Sequence, residues 1–421
     1  MGMDGGEPRP VAASVDAERL DTARFGLYRA SPRRSARRVF HVTQLLSFAV
    51  LGVGLYWLFR IQPRASLNAL HLAALALFAL AILWRLIAAA SLKPLLSRIA
   101  APTAWPTYTI LCPIYREANV VADLVAALDR LDYPKNQLQV LLLVESDDVE
   151  TCTAALEIAS APYIEVVVIP AAAPRTKPKA LNVGLTLARG DFVCVYDAED
   201  RPHPQQLRAA LAAFEDGDAR LACVQAPLVI DNADASWIAR QFAAEYAIQF
   251  HEILPLLARL GLPLPLGGSS NHFRTAALRA SGGWDAYNVT EDADLGYRLA
   301  RDGYRSGIIA PPTYEEAPVT FAAWRKQRTR WIKGHLQTWL VLMRNPFRAA
   351  REMGLGAFAS MQLMLGGGIV ASFAHGPLAF IVLTAALTDY NLTPADFILA
   401  LLGYCVAMFA AMTASALSGE L

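Results

Sequence analysis

The hydrophobic pattern divides the chain into three parts. Residues 1–38 are polar and rich in arginine, ending in Arg33, Arg34, Arg37 and Arg38. Residues 39–59 then run without Asp, Glu, Lys or Arg up to Arg60, and residues 66–84 repeat the pattern up to Arg85. Each run is long enough to span a bilayer as a helix. From Thr107 short apolar runs alternate with amphipathic ones. Strands are predicted up to Pro113, over 138–144, 163–169, 192–196 and 220–227, with helices near 120–130 and 177–190. The near-continuous apolar run 138–144 is what a parallel strand covered on both faces requires. The alternation implies an α/β domain over 91–345, built on an open, mostly parallel sheet. Beyond Glu352 the chain is apolar again, interrupted at Gly366-Gly367-Gly368 and Gly376-Pro377. The segment 346–421 is therefore expected to hold an interfacial helix near 354–366 and crossings near 369–388 and 396–417. A helical hairpin across 354–388 is the alternative, and it would reverse the side of the C-terminus.

Composition places this domain beside a membrane. Of 421 residues 55% are hydrophobic and only 18% charged, which is too apolar for an ordinary soluble chain. A net charge of +1 offers nothing to nucleic acid. The five cysteines form no C-x-x-C pair, consistent with reduced cytosolic thiols and against a zinc site. Arginines crowd the first 38 residues, and Arg85, Lys93 and Arg98 follow the second span, against only Arg60 and Arg64 between the spans. The positive-inside rule puts the N-terminus and residues 85–353 in the cytosol of a bacterial-type inner membrane.

Three successive strands end in polar residues: 115–117, 145–148 and 197–200. Ligands of open α/β sheets bind at that end. Asp197, Glu199 and Asp200 would be costly there unless a cation met them. A hard divalent ion, Mg²⁺ or Mn²⁺, takes oxygen ligands and bridges carboxylates to phosphates. Asp197 and Glu199 share a face of an extended segment, with Asp200 as the competing second ligand. Further on, Thr290-Glu291-Asp292 opens an amphipathic helix. An N-cap with acids on the helix dipole accounts for those positions, but not for Gly282, Gly283 and Trp284 upstream. Gln327, Arg330 and Trp331 lie on a basic aromatic helix just before the membrane, where an interfacial anchor is the rival reading.

In this order and between membrane spans, Asp197-x-Glu199, Thr290-Glu291-Asp292 and Gln327-x-x-Arg330-Trp331 resemble the D-x-D, T-E-D and Q-x-x-R-W set of cellulose-synthase-like family-2 glycosyltransferases. The likeness covers roughly residues 105–345. It is supported by Pro113-Ile114-Tyr115-Arg116-Glu117, by Lys177-x-x-Ala180-Leu181-Asn182, and by Gly268-Ser269 with Arg274. Glu199 departs from the second Asp of D-x-D, and Glu145-Ser146-Asp147 from the usual D-D-G. The resemblance implies a GT-A-type cytosolic domain that binds a UDP-sugar through Pro113, Tyr115, Glu117, Glu145 and Asp147. Asp197 and Glu199 would hold the metal, Lys177 and Arg330 would clamp the diphosphate, and Asp292 would be the general base of an inverting transfer. Glu291, Gln327, Trp331 and Ser269 would face the acceptor. It further implies processive synthesis of a β-linked polysaccharide, glucose being the expected sugar, with coupled export and accessory subunits or a homo-oligomer. Transfer of one sugar to a lipid carrier or glycolipid, and an inactive membrane scaffold, are the other readings.

Overall fold

The apolar runs of the middle third become the centre of an eight-stranded sheet in the computed structural model of the protein, which describes residues 13–91 and 93–373. Its strands are β1 (Ala13–Ser14), β2 (Tyr108–Ile114), β3 (Leu138–Glu145), β4 (Ile164–Ile169), β5 (Phe192–Val195), β7 (Leu221–Gln225), β9 (Asn271–Arg274) and β10 (Arg305–Ile308). The order across the sheet is β1-β4-β3-β2-β5-β9-β7-β10. All neighbours are parallel except β9, which runs antiparallel to both β5 and β7. Every residue of β3 is buried. Its alternate positions feed two cores, Leu141 and Leu143 on one face and Val140, Leu142 and Val144 on the other. Pro113 lies beyond the last pairing of β2 with β5, Leu111 to Val195, so its missing donor does not break that ladder. A second sheet of three short strands joins β6 (Arg201–Pro202), β11 (Thr313–Glu315) and β8 (Leu228–Ile230).

The arginine-rich segment is not a free tail. β1 adds a strand to the edge of the main sheet, and the helix Ala17–Ala30 lies on the helix Lys177–Leu187. Arg24 Nε donates to the Ala173 carbonyl at 2.6 Å, and Asn182 Nδ2 donates to the Ala23 carbonyl at 3.1 Å. The buried carboxylate of Asp285 accepts from the Ser35 hydroxyl (3.0 Å) and the Ala36 N–H. Arg344 donates to the carbonyls of Arg33 (2.8 Å), Ser35 (3.1 Å) and Arg38. Guanidinium groups that composition reads as surface charge thus satisfy backbone carbonyls, a pairing no count of charges anticipates.

The first expected span is the helix Val42–Ile61, whose apolar side chains face outward, Val50 at 73% and Leu51 at 59% exposure. Among the described residues, Val42–Ile61 and Leu355–Phe373 are long and apolar enough to cross a membrane. The second expected span, 66–84, falls within the longer helix Pro63–Ala90. The glycines at 366–368 do not end a helix as expected. Leu355–Phe373 continues through a π-turn at Gln362–Gly366, where Gln362 Oε1 accepts from Trp339 Nε1 at 2.9 Å. A Cβ on Gly366 would stand 3.1 Å from that indole nitrogen, so the glycine admits the tryptophan. The remainder of the predicted crossing 369–388, the loop after it and the crossing 396–417 lie outside the described residues.

Two helices pack tightly on neighbouring loop backbone through glycine. A Cβ on Gly334, in the helix Phe321–Leu342, would lie 2.9 Å from the Thr290 backbone nitrogen. One on Gly296, in the helix Glu291–Arg301, would intrude on the Leu264 carbonyl oxygen. Backbone atoms cannot swing aside, so Gly334→Ala and Gly296→Ala are expected to cost about 1–3 kcal/mol each from overpacking. That exceeds the gain of up to about 1 kcal/mol in helix propensity. The check is thermal unfolding of the purified variants. A midpoint equal to or above that of the unaltered protein would show that these contacts are not tight.

Candidate active site

The carboxyl ends of β2, β3 and β5 open into one cleft, and local hydrogen bonding decides which acids face it. Past β5 the chain turns through residues 197–200. Asp200 points inward: its carboxylate accepts from the Asp197 N–H (2.6 Å) and from the Ser269 hydroxyl, and it is buried. It braces the turn. Glu199 is exposed and Asp197 half-buried. Two non-glycine residues beside the cleft adopt left-handed backbone, Arg116 (φ 60) and Ser270 (φ 57). The Arg116 N–H is held by the Asp148 carboxylate, and the Ser270 N–H by the Val195 carbonyl at 2.7 Å. Such strain persists only where fixed partners impose it, and it clusters at functional sites.

Lys177 opens the helix Lys177–Leu187 and reaches across the cleft. Its ammonium pairs with the Asp197 carboxylate and donates to the Gly268 carbonyl at 2.7 Å. The Cβ position of Gly268 lies 3.4 Å from Asp292 Oδ2 and 3.7 Å from Lys177 Nζ. Lys177, Asp197 and Asp292, predicted from three separate stretches, therefore meet around Gly268. Asn182 locks the Lys177 helix to the Gly-Gly-Trp loop in both directions, Nδ2 to the Trp284 carbonyl (2.7 Å) and Oδ1 from the Trp284 N–H (2.9 Å). Thr176 Oγ1 donates to the Ala286 carbonyl at 2.8 Å. From the other side the buried Arg298 bonds Asp294 (2.6 Å) and the carbonyls of Ser281 (2.7 Å) and Gly283 (2.8 Å). Lysine and aspartate are thus set against one another by their supporting loops.

Carboxylates outnumber cations here, and their protonation responds. Glu199 reaches solvent yet stands among crowded neighbours, and partial desolvation, then Asp197 and Glu117, pushes it up to about 6. Burial, then Asp197, pushes Glu315 up to about 8 despite a hydrogen bond from Tyr246. Burial and the neighbouring Asp292 carry Glu291 to about 8. Asp292 is raised by burial, against the Ala293 N–H and Lys177, which favour its anion. Burial opposes the charge on Lys177, but Asp197, Glu291 and Asp292 hold it protonated above its ordinary value. Among the described residues no three His, Cys, Asp or Glu side chains form a ready-made metal cage.

Other predicted residues land less directly. Tyr115 is exposed, with Arg116 over its ring, and Glu117 is half-buried with its carboxyl raised by burial and by Asp197. Pro113 ends inside β2 and Asp147 pairs with Arg175. Glu145, expected at the nucleotide, is buried and bound to the fully buried Lys179 at 2.6 Å, so it anchors β3 instead. Removing one partner of such a pair costs about 3–5 kcal/mol. Ser269, expected toward the acceptor, is buried and spends its hydroxyl on Asp200.

On the helix Phe321–Leu342, Trp331 packs on Phe242 (5.8 Å between centroids) and Tyr246 (6.4 Å). Arg328, one turn earlier, lies over the Trp331 ring at 4.8 Å and pairs with Glu245. Arg330 is exposed without an acidic partner among the described residues, and Gln327 is half-buried with Oε1 unpartnered. Sequence reasoning missed Glu315, Tyr246, Lys179 and Arg328. Tyr314-Glu315-Glu316 was visible as an acidic pair after Pro311-Pro312, but only the pairing of β11 with β6 and β8 brings it beside Asp197.

Comparisons with known proteins identify the family of the chain. The beta-monoglucosyldiacylglycerol synthase of Synechocystis sp. is 28% identical over 280 residues, 65% of this chain and 57% of its own. A probable glucomannan 4-beta-mannosyltransferase of Arabidopsis thaliana is 27% identical over 244 residues, 55% of this chain and 43% of its own. The chain thus spans about half the length of the curated relatives it matches. Among solved structures, the mannosyltransferase PcManGT from Pyrobaculum calidifontis, in complex with GDP-Man and Mn²⁺, aligns with a TM-score of 0.47 at 21% identity, covering 83% of this chain and 97% of that one. The family model described as glycosyl transferase family group 2 matches residues 192–414, more than half of the sequence and inclusive of Asp197, Asp292 and Trp331. The chain belongs to the family-2 glycosyltransferases.

Proposed function

We propose that the protein transfers a sugar, with inversion, from a nucleotide-activated donor such as a UDP-sugar to a hydroxyl of an acceptor presented at the membrane surface. The observation that carries this is the meeting of Lys177, Asp197 and Asp292 around Gly268. The acceptor hydroxyl oxygen attacks the anomeric carbon, and the bond from that carbon to the diphosphate breaks on the opposite face. The hydroxyl proton passes to the Asp292 carboxylate, and the electron pair leaves with the nucleoside diphosphate. Lys177 offers the diphosphate a fixed positive charge. The Asp292 carboxyl, raised by burial, is a stronger base than a solvated aspartate.

The residues present fit a hard divalent cation: Asp197 and the exposed Glu199 offer only oxygen, and their neighbours Glu117 and Glu315 add to the negative potential. Held by Asp197 and Glu199, Mg²⁺ or Mn²⁺ would neutralise charge on the leaving diphosphate. Tyr115 and Glu117 at the end of β2, and Asp147 after β3, would line the base and ribose side.

For the acceptor we favour a membrane lipid hydroxyl and transfer of a single sugar. The outward-facing apolar helix Val42–Ile61, read as crossing the membrane with the cleft on the cytosolic side, supports it, as does the diacylglycerol glucosyltransferase among the relatives. Elongation of a β-linked polysaccharide with export is the second reading. It is favoured by Trp331, whose neighbour Tyr246 bridges to Glu315 at the acid cluster, so that an aromatic wall adjoins the cleft.

Mass analysis of products from UDP-glucose with membranes containing the protein separates these. A monoglycosylated lipid supports the first reading, and a polymer shortened in Trp331→Ala supports the second. Asp197→Asn should be nearly inactive, and chelator should abolish activity that Mg²⁺ or Mn²⁺ restores. Full turnover in excess chelator would end the metal assignment. The pH dependence has a definite sign. A base is lost as pH falls through its pKa, and that of Asp292 is raised, so kcat/KM should decline on the acid side above the usual aspartate value of about 3.9. Lys177→Gln removes a charge that favours the Asp292 anion, and should move that midpoint further up. A midpoint at or below the ordinary value would remove Asp292 as the base.

A further inference from the structure

A cavity of about 390 Å³ lies apart from the cleft, lined by Arg33, Arg34, Arg301, Arg344 and Arg348 with Val341 among the apolar residues at its wall. Two acids pair directly with three of these five arginines, and Asp285 and Asp294 act on Arg344 at longer range. Glu352 pairs with Arg301 and Arg348 at 2.6 Å each, and Asp302 pairs with Arg34 at 2.6 Å. Arg33 is exposed and has no acidic partner among the described residues, and Arg344 spends its donors on carbonyls while its buried Nε has none. The arginines of the cavity therefore outnumber the acids paired with them.

Its position is equally specific. Gln44, in the first turn of the helix Val42–Ile61, donates to the Leu340 carbonyl at 2.8 Å, adjoining Val341 in the cavity wall. Phe347, next to Arg348, and Phe40 and Val42, between Arg38 and Gln44, expose 87%, 53% and 68% of their surface. Arginines thus sit at the level where an outward-facing apolar helix begins, with large apolar side chains beside them. Guanidinium forks match phosphate oxygens two at a time, and basic pockets beside membrane helices on the cytoplasmic side suit anionic headgroups.

We infer that this cavity binds the phosphate-bearing headgroup of an anionic phospholipid. The inference rests on the reading of Val42–Ile61 as a membrane helix. Occupation would also reach the reaction, because Arg344 holds the carbonyls of the segment 33–38 whose Ser35 and Ala36 are bonded to Asp285, on the loop leading to Asp292.

The test uses the full chain in nanodiscs of phosphatidylcholine, with and without phosphatidylglycerol, read by thermal unfolding and by lipid retained in native mass spectrometry. Phosphatidylglycerol should raise the unfolding midpoint and remain bound. Arg33→Gln combined with Arg348→Gln should weaken that response about tenfold, with little change in phosphatidylcholine alone. If the double variant is less stable there as well, Arg33→Gln alone carries the comparison, since its side chain holds no acid in place. No response to phosphatidylglycerol, or an equal response in the variant, overturns the inference. Protection by soluble glycerol phosphate as strong as that by the lipid would assign the cavity to a free phosphate and overturn the lipid source. Failure of the unaltered protein to float with phosphatidylcholine vesicles would instead overturn the membrane reading. Flotation without a phosphatidylglycerol response overturns this inference alone.

Discussion

The ion pair between Lys177 and Asp197 is the contact on which the cleft depends. Asp197, Glu199, Glu117, Glu315, Glu291 and Asp292 gather where strand ends and helix starts converge, and Lys177 is the cation the structure sets among them. Like charges in a partly desolvated space raise one another's pKa, and most of these acids are raised. An arrangement with unspent negative charge is poorly suited to stability and well suited to receiving a cation with a phosphate ligand. Activity and fold are in tension here, and the rest of the architecture contains it.

That containment is visible in how polar groups are used outside the cleft. Asp200 Oδ2, Ser269 Oγ and the Asp148 carboxylate are spent on the turns that carry Asp197 and Arg116. Asn182 and Arg298 take up the free carbonyls of the Gly-Gly-Trp loop, so Asp292 is presented from a loop tied down on two sides. The helix bearing Trp331 is held on the same loop by Gly334 against Thr290, and by Gln337 Nε2 donating to the Tyr287 carbonyl at 2.9 Å. A buried polar group without a partner costs about 1–3 kcal/mol, so these paired groups hold the loops in place as a frame. Ser269 and Asn182, which a motif groups with the candidate site, are spent on Asp200 and on the Trp284 backbone.

The N-terminal segment links this frame to the apolar helices. Its strand extends the sheet edge, its helix covers the Lys177 helix, and its last turn feeds carbonyls to Arg344 before the chain enters Val42–Ile61. Force or lipid contact at that helix therefore has a bonded route to Asp285 and the loop before Asp292. The family assignment does not depend on this route, which comes from the particular arginines of this chain.

Much was legible in the linear pattern. The runs 138–144, 163–169 and 192–196 are apolar because a central parallel strand is covered on both faces, and each appeared as a strand where expected. Lys177, Asp197 and Asp292 were legible because each stands at the mouth of a periodic element, after a strand or at the start of a helix. Register and long-range pairing were not, since hydrophobic period specifies a face but not a partner. The insertion of β9 between β5 and β7, the strand added by Ala13–Ser14, and the small sheet that carries Glu315 to Asp197 all join distant stretches of chain. The direction of a side chain within a motif was hidden for the same reason. Arg328 rather than Arg330 stacks on Trp331, and Asp200 turns inward while Glu199 stays open, because the neighbours Glu245 and Ser269 come from elsewhere in the fold. Sequence by itself determined the elements and the chemistry available at their ends. Tertiary structure decided which of those ends meet, because packing and hydrogen-bond satisfaction are settled only between segments far apart in the chain.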